Sequence, residues 1–229
     1  MKLKKSYNLI VAADGSAASG KTTGAKIISK KYGLKFLSSG NLYRYASYIL
    51  IKKNPKNKVK FLKNEFKNLK IEKLNRINLQ TQKISEFTSI IAKEKKIRSI
   101  LKDFQIKFSN KFNKICIEGR DIGTVILPKA DIKFFFQCDL NTAAKRRFKE
   151  LRKKDKSITF YAVKKSMKLR NLRDKSRKNS PLLKSHDAIL VDTGKLKNIH
   201  GMIKKMTNVI ESVIKDKYGS WRKRKYSKK

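Results

Sequence analysis

Apolar residues in this chain gather in short unbroken runs, and longer stretches with helical spacing separate the runs. "YNLIVAA", residues 7–13, is one such run closed by Asp14-Gly15, the pattern of a parallel strand buried on both faces. The same reading predicts strands in "KFLSSG", "KICIEG", "DIKFFFQCD" and "AILVDT". Between them, "TTGAKIISKKYG", "NLYRYASYILIKK", "NTAAKRRFKELRKK", "FYAVKKSMKLRNLRDKSRK" and "KLKNIHGMIKKMTNVIESVIKDKYG" predict helices. Gly33 closes the first and Asn54-Pro55 the second. Residues 55–110 break the alternation. They are rich in Lys and Asn and mostly helical in pattern, with a small hairpin predicted around "LKIEKLNRINLQT", and they read as an insert. Strand alternating with helix predicts an α/β fold on a five-stranded parallel sheet.

Composition first pulls the other way. The chain carries 60 Lys and Arg against 17 Asp and Glu, a net charge of +43, which suits a nucleic-acid binder. Those charges are scattered among Asn and Ile along all 229 residues, with the densest cluster in the tail "WRKRKYSKK". A solvated, lysine-biased surface with weak nonspecific polyanion binding is therefore the expectation. No apolar run approaches the roughly 18–20 residues of a membrane span. The start, "MKLKKSYNLIVAA", imitates a secretion signal, but cleavage there would destroy the motif that follows, so it is read as structure. Cys116 and Cys138 lie in strand-like runs without CxxC spacing. Reduced core thiols and a cytoplasmic location are expected, with a disulfide or metal site as the alternative.

The chemistry starts at Gly15-Ser16-Ala17-Ala18-Ser19-Gly20-Lys21-Thr22, a full G-x-x-x-x-G-K-[ST] between a strand and a helix. Gly15 and Gly20 allow positive φ, so successive N–H groups can curl round a phosphate, and the helix N-terminus faces the same anion. Lys21 adds a mobile charge for β- and γ-oxygens, and Thr22 or Thr23 a hydroxyl near Mg²⁺. The guanine-reading N-K-x-D of GTPases is missing, because "NKIC" at Asn113 has a cysteine where the carboxylate belongs. A small-molecule kinase also needs a second anion pocket, because the transferred phosphoryl spreads its charge over three oxygens. Arg44, Arg98, Arg120, Arg146, Arg147, Arg170, Arg173 and Arg177 stand at structured positions. Arg170, Arg173 and Arg177, at spacings of three and four, are expected along one helix face with Asp174 among them. That face is either a solvated basic stripe or a phosphate clamp with a sugar-binding carboxylate.

"DGSAASGKTT", "FLSSGNLYR", "TSIIAKEKKIRSILKDFQ", "EGRDIGTVILPKAD" and "LRNLRDKSRKNSPLLKSHDAILVDT" follow one another in the order found in bacterial cytidylate (CMP) kinases, which the chain resembles. The resemblance spans residues 7–215, with "GRDIGT" and R-x-x-R-D-x-x-R its most specific parts. It implies a P-loop NTPase-type fold, a nucleoside monophosphate (NMP)-binding insert at 55–110, and a lid with an arginine-rich helix at 151–178. Core segments at 1–54, 111–150 and 179–218 and a basic tail at 219–229 complete the division. It implies phosphoryl transfer from ATP with Mg²⁺ to CMP or dCMP, by a monomer in pyrimidine metabolism.

By position, Ser39, Tyr43 and Arg44 would flank the acceptor, Arg44 on its phosphate. Ser89, Arg98 and Asp121 would read the cytosine edge. Arg120 and Arg177 would hold phosphate, Arg170 and Asp174 phosphate and ribose hydroxyls, and Arg146 and Arg147 the lid contacts. The residue types suit these tasks, since a carboxylate accepts from the cytosine amino group and arginine matches a phosphate fork. The charge and the insert suggest a wet base site. Several positions depart from the family. Glu118 and Ser38 replace aspartates, and Glu118 is expected to act on Mg²⁺ through water. Ala143 stands where an arginine is common, Ser16 replaces a proline and Thr22 a glycine. The alternatives left are another P-loop kinase of nucleotides or small molecules, and a non-catalytic basic RNA-binding P-loop protein.

Overall fold

The computed structural model describes residues 3–153, 155–196 and 198–219. The basic tail from Trp221 to Lys229 lies outside the described residues. Five parallel strands, β1 (Leu9–Gly15), β2 (Lys35–Ser38), β3 (Lys114–Gly119), β4 (Ile132–Gln137) and β5 (Ile189–Asp192), form one sheet in the order β2-β3-β1-β4-β5. β2 to β5 fall within the runs that the pattern marks as strands, and β1 lies on its run but continues two residues further, through Asp14 and Gly15. Each crossover returns the chain to the same sheet end, so the C-terminal ends of β1, β3, β4 and β5 open onto one side, where open α/β sheets place their ligands.

Nine α-helices complete the described fold: α1 (Lys21–Tyr32), α2 (Ser39–Lys53), α3 (Lys58–Lys67), α4 (Glu72–Asn75), α5 (Gln82–Ile91), α6 (Lys95–Ser109), α7 (Leu140–Arg152), α8 (Phe160–Ser176) and α9 (Ile199–Tyr218). One face of the sheet, with Leu9, Val11 and Phe134, packs against Ile28 of α1 and Met206 and Ile210 of α9. The other face, with Ala12, Leu37 and Ile117, shares a single apolar cluster with Leu42, Leu62, Ile91 and Leu101. Segment 55–110 is thus joined to the sheet by apolar packing. Helices α7 and α8 make their own small cluster, Ala144, Leu151, Val163 and Met167, against Ala17 and Ala18 of the phosphate loop.

Two local predictions need correction. Residues 69–81 hold the short helix α4 and no strand. Ile71, Leu74 and Ile77 recur every three residues, a helical spacing, and Leu74 and Leu79 are drawn into the large apolar cluster. Helix α8 stops at Ser176, and Arg177 is extended at φ −66°, ψ 136°, so it leaves the helix that carries Arg170 and Arg173.

Cys116 and Cys138 are free thiols. Burial in β3 pushes the Cys116 thiol up to about 12, and partial burial raises Cys138 as well. The thiolate is the reactive form and access decides which one a reagent meets. A chromogenic disulfide reagent is therefore expected to modify half-buried Cys138 alone in the native protein. Both cysteines should react in denaturant; prompt native labelling of Cys116 would contradict its burial. Among the described residues no helix is long and apolar enough to cross a membrane.

Candidate active site

The loop between β1 and α1 is shaped by its backbone. Gly15 sits at φ 148°, and a Cβ there would lie 2.2 Å from the Phe136 carbonyl oxygen of β4, so only glycine lets the two strands' ends approach. Gly20 turns the chain into α1 at φ 78°. Ala18 takes the left-handed region at φ 54° with a Cβ in place, a strain of about 1–2 kcal/mol held at a functional loop. Helix α1 starts with no side-chain cap and no acidic residue in its first turn, which leaves its first N–H groups for an anion. The Ser19 hydroxyl donates to the Ser16 carbonyl at 2.9 Å, and Thr193 after β5 donates to the Ser19 carbonyl at 2.9 Å. Residues 16–23 line a cavity of about 490 Å³.

Lys21 is buried and its ammonium donates to Glu118 Oε2 at the end of β3. The Ser38 hydroxyl donates to Glu118 Oε1 and also caps α2 by accepting from the Asn41 N–H at 3.2 Å. Burial alone would raise the Glu118 carboxyl. The charge of Lys21, the bonds from Lys21 and Ser38, and nearby Arg120 outweigh it and hold the group below the usual carboxylate range. Burial in turn pulls the Lys21 ammonium below its usual value against Glu118's attraction. Ser38 and Glu118 therefore touch, and Glu118 reaches both the serine and the lysine.

Arginines close the cavity. Arg44, buried in α2, donates to the Leu79 carbonyl at 2.9 Å and to Ser85 at 2.8 Å. Burial and the charges of Arg170, Arg147 and Arg120 lower Arg44 to about 9, and burial with Arg120 lowers Arg170 to about 10. These cations destabilise one another where they stand, and an anion among them would relieve the repulsion. The buried Arg170 Nε and Arg177 Nη2 have no hydrogen-bond partner among the described residues. Arg146 donates to Thr193 Oγ1 at 3.0 Å and to its carbonyl at 2.9 Å. Arg147 donates to the Gln80 carbonyl at 3.1 Å and to Glu150 at 2.8 Å.

A second, smaller cavity adjoins the first and shares Ser89, Arg120 and Arg170 with it. Here Asp121, 4% exposed, accepts from Arg98 and faces Arg177 at 3.9 Å. The Arg98 guanidinium lies 5.6 Å over the Tyr43 ring, whose hydroxyl burial pushes up to about 12. Asp174 accepts from Arg120 Nε at 2.9 Å and faces Arg177 at 3.7 Å. Burial pushes its carboxyl up, but Arg120, Arg170 and Arg177 outweigh it and hold it below the ordinary value. The result is a narrow, charged slot beside the large cavity, walled by buried side chains.

Of the residues singled out in the sequence, Ser16 through Thr23, Arg44, Ser89, Glu118, Arg120, Arg146, Arg147 and Arg170 line the large cavity. Ser39, Tyr43, Arg98, Asp121, Asp174 and Arg177 line the small one, and Gly15 sits beneath the loop. In the sequence Arg173 stands out only as part of an arginine spacing. It lines the large cavity and donates to Ser89 Oγ at 2.8 Å, tying α8 to α5. Gln80, Gln82, Ser85, Glu86 and Glu150 also face that cavity, and no local motif marks them. Their place depends on how α5 and α7 pack.

Mg²⁺ takes hard oxygen ligands and keeps several waters, bound mainly by substrate phosphates and one or two carboxylates. The donors present fit that coordination, because the exposed Thr22 hydroxyl and the Glu118 carboxylate stand at the same cavity, beside the open helix N-terminus. Among the described residues no group of three or more His, Cys, Asp and Glu gathers as a protein-only cage.

The chain is similar to known proteins over nearly its whole length. The sequence model of the family described as cytidylate kinase matches residues 11–212. The cytidylate kinase of Fusobacterium nucleatum is 37% identical over 217 residues, covering 90% of this chain and 99% of that protein. That of Rickettsia rickettsii is 35% identical, covering 91% and 94%, and that of Thermosipho melanesiensis 36%, covering 90% and 98%. A crystal structure of an uncharacterized protein from Eubacterium ventriosum overlays with a TM-score of 0.50 at 16% identity, over 90% of this chain and 99% of that one, a likeness of fold alone. With a family match over residues 11–212 and relatives above 30% identity, this chain belongs to the cytidylate kinase family.

Proposed function

We propose that this enzyme transfers the γ-phosphoryl of ATP to CMP or dCMP, giving ADP and the nucleoside diphosphate. One observation carries the reading. An uncapped helix N-terminus and Lys21 face a wall of mutually repelling arginines across one cavity, and that cavity opens into a slot holding Asp121, Arg98 and Asp174. Two phosphate groups and a nucleoside fit such a sequence of charges.

An acceptor phosphate oxygen attacks the γ-phosphorus, the bond to the bridging oxygen breaks, and ADP leaves with that oxygen. The acceptor oxygen is already anionic, so no strong protein base is required, and positioning with charge neutralisation lowers the barrier. Residues 15–23 cradle the donor phosphates and Lys21 follows the transferred group. Arg120, Arg170 and Arg177 surround it, while Arg44 holds the acceptor phosphate. Asp174 and Arg170 orient the ribose, and Ser39 and Tyr43 flank the acceptor. Arg98, Asp121 and Ser89 read the base. Arg146 and Arg147, now engaged on Thr193 and Gln80, form the lid contacts. Thr22 and, through water, Glu118 would hold Mg²⁺, which supplies neutralisation of the phosphate oxygens. Closure of α7 and α8 over both substrates keeps water from the γ-phosphate. The free thiols suit a reducing cytoplasm, where the enzyme acts as a monomer.

A coupled ADP-release assay across CMP, dCMP, UMP, AMP and RNA tests this. CMP and dCMP are expected to be turned over fastest. RNA should bind only with the roughly 10⁻⁴–10⁻⁶ M affinity and steep salt dependence of nonspecific contacts. No CMP-dependent ADP release, together with salt-resistant binding of one RNA, would replace the kinase reading by the non-catalytic one.

A further inference from the structure

Asp14 is the penultimate residue of β1, at the entry to the phosphate loop, yet it lines neither cavity. Its Oδ1 accepts from the Ile122 N–H at 2.8 Å and its Oδ2 from the Gly123 N–H at 2.7 Å. Those amides open the wide π-helical turn Ile122–Ile126, whose Val125 and Ile126 N–H groups return to the Asp121 carbonyl at 2.9 and 3.2 Å. Ile122 and Gly123 are buried, so without Asp14 both amides would stand unpaired in the core. The turn sends Arg120 to Asp174 on one side and Asp121 to Arg98 and Arg177 on the other.

We propose that Asp14 is a positioning residue for acceptor-base recognition: by gripping the Ile122 and Gly123 amides it fixes the direction in which Asp121 meets the base. The inference rests on Asp121 as the base reader. Only an ionised carboxylate of this size accepts with both oxygens; an asparagine would turn its NH₂ toward one of the two donors. Burial pushes the Asp14 carboxyl up to about 6 against the two amides. The charged neighbours are Asp121, which adds to the rise, and Lys21 of α1, which opposes it. Lys133 of β4 lays its stem on Gly123 and its ammonium on Asp187.

The test is steady-state kinetics of Asp14→Asn with CMP, UMP and ATP. Loss of a bond to a charged acceptor predicts a rise of about 10–100-fold in KM for CMP. The kcat and the KM for ATP should stay within about threefold, and the CMP-to-UMP ratio of kcat/KM should narrow. Equal changes for ATP and CMP, or no change in the ratio, would overturn the proposal. The unmodified protein gives a second arm, which serves even where the variant does not fold. Ionisation of the substrate phosphate is common to CMP and UMP, so it cancels in their ratio. That ratio is expected to fall as pH drops below about 6, where Asp14 takes up a proton; a ratio flat from pH 5 to 8 sinks the idea. If Asp121→Ala also leaves the ratio intact, the base reading itself has failed. If Asp121→Ala narrows it and Asp14→Asn does not, only the role of Asp14 falls.

Discussion

Lys21→Ala is expected to lower kcat with CMP and ATP by about 10²–10³-fold or more, the effect of losing one charged donor to the transition state. The lysine opens a helix with an uncapped N-terminus and lines the large cavity. The structure adds a complication that the loop motif does not carry. Lys21 is the cation of Glu118, whose side chain is 3% exposed, and removing one partner of such a pair costs up to about 3–5 kcal/mol. The Ser38 hydroxyl and nearby Arg120 remain to share the carboxylate, so the loss should stay below that figure. Lys21→Ala is therefore expected to melt earlier while staying folded. Lys21→Ala combined with Glu118→Gln should regain much of the melting temperature and none of the turnover. That combination separates the two roles: recovery of activity in the double variant would mean that Lys21 matters only as a counter-ion.

The strands are legible in the sequence because a parallel sheet covered on both faces needs unbroken apolar runs, and such runs are short and bounded. The third strand matches its quoted run, Lys114–Gly119, at both ends. The 69–81 segment misleads because β-branched and apolar residues near Asn suggest a hairpin when no partner is in view. Its fate is decided by Leu74 and Leu79 entering a cluster built mostly by other elements. The site divides in the same way. The phosphate loop is one continuous stretch, so its chemistry is local and readable. The contact of Ser38 with Glu118 spans 80 positions, and that of Arg173 with Ser89 spans 84. Two residues that look unrelated in sequence are joined by one hydrogen bond in space. A wet base site is the expectation from sequence, because net charge and a Lys/Asn-rich insert are all it offers there. Asp121, Arg98 and Arg177 are instead 4%, 8% and 8% exposed, since segment 55–110 packs onto the sheet through the same apolar cluster as β1–β3.

That burial sets the size of the second large effect: the enzyme is expected to prefer CMP to UMP strongly, and Asp121→Ala to narrow the preference. Cytosine presents an amino donor and an acceptor ring nitrogen, and uracil an acceptor oxygen and a ring N–H, so the two edges are inverted. Asp121 facing the amino group gains a charge-assisted hydrogen bond, and Arg98 beside it can donate to the ring nitrogen. Facing uracil, the carboxylate meets an oxygen and the guanidinium an N–H. Sites that leave buried polar groups unpaired discriminate by up to about 10⁴-fold, and the burial here argues for about 10²–10⁴ rather than the smaller ratio of a hydrated pocket. Asp121→Ala removes the acceptor but also strands Arg98 and Arg177, so a fall in stability accompanies it. Asp121→Asn keeps the shape and one acceptor, and its amide can also donate to the uracil oxygen. Steady-state kcat/KM on both nucleotides should therefore fall far more for CMP than for UMP in the alanine variant. In the asparagine variant UMP should gain relative to CMP, with a smaller fall in melting temperature than in the alanine variant, because Arg98 keeps a neutral acceptor but loses its counter-charge. Equal losses on both nucleotides in both variants would mean that Asp121 anchors Arg98 and Arg177 without reading the base, and the specificity would have to be sought in Ser89 and the Arg173 bonded to it.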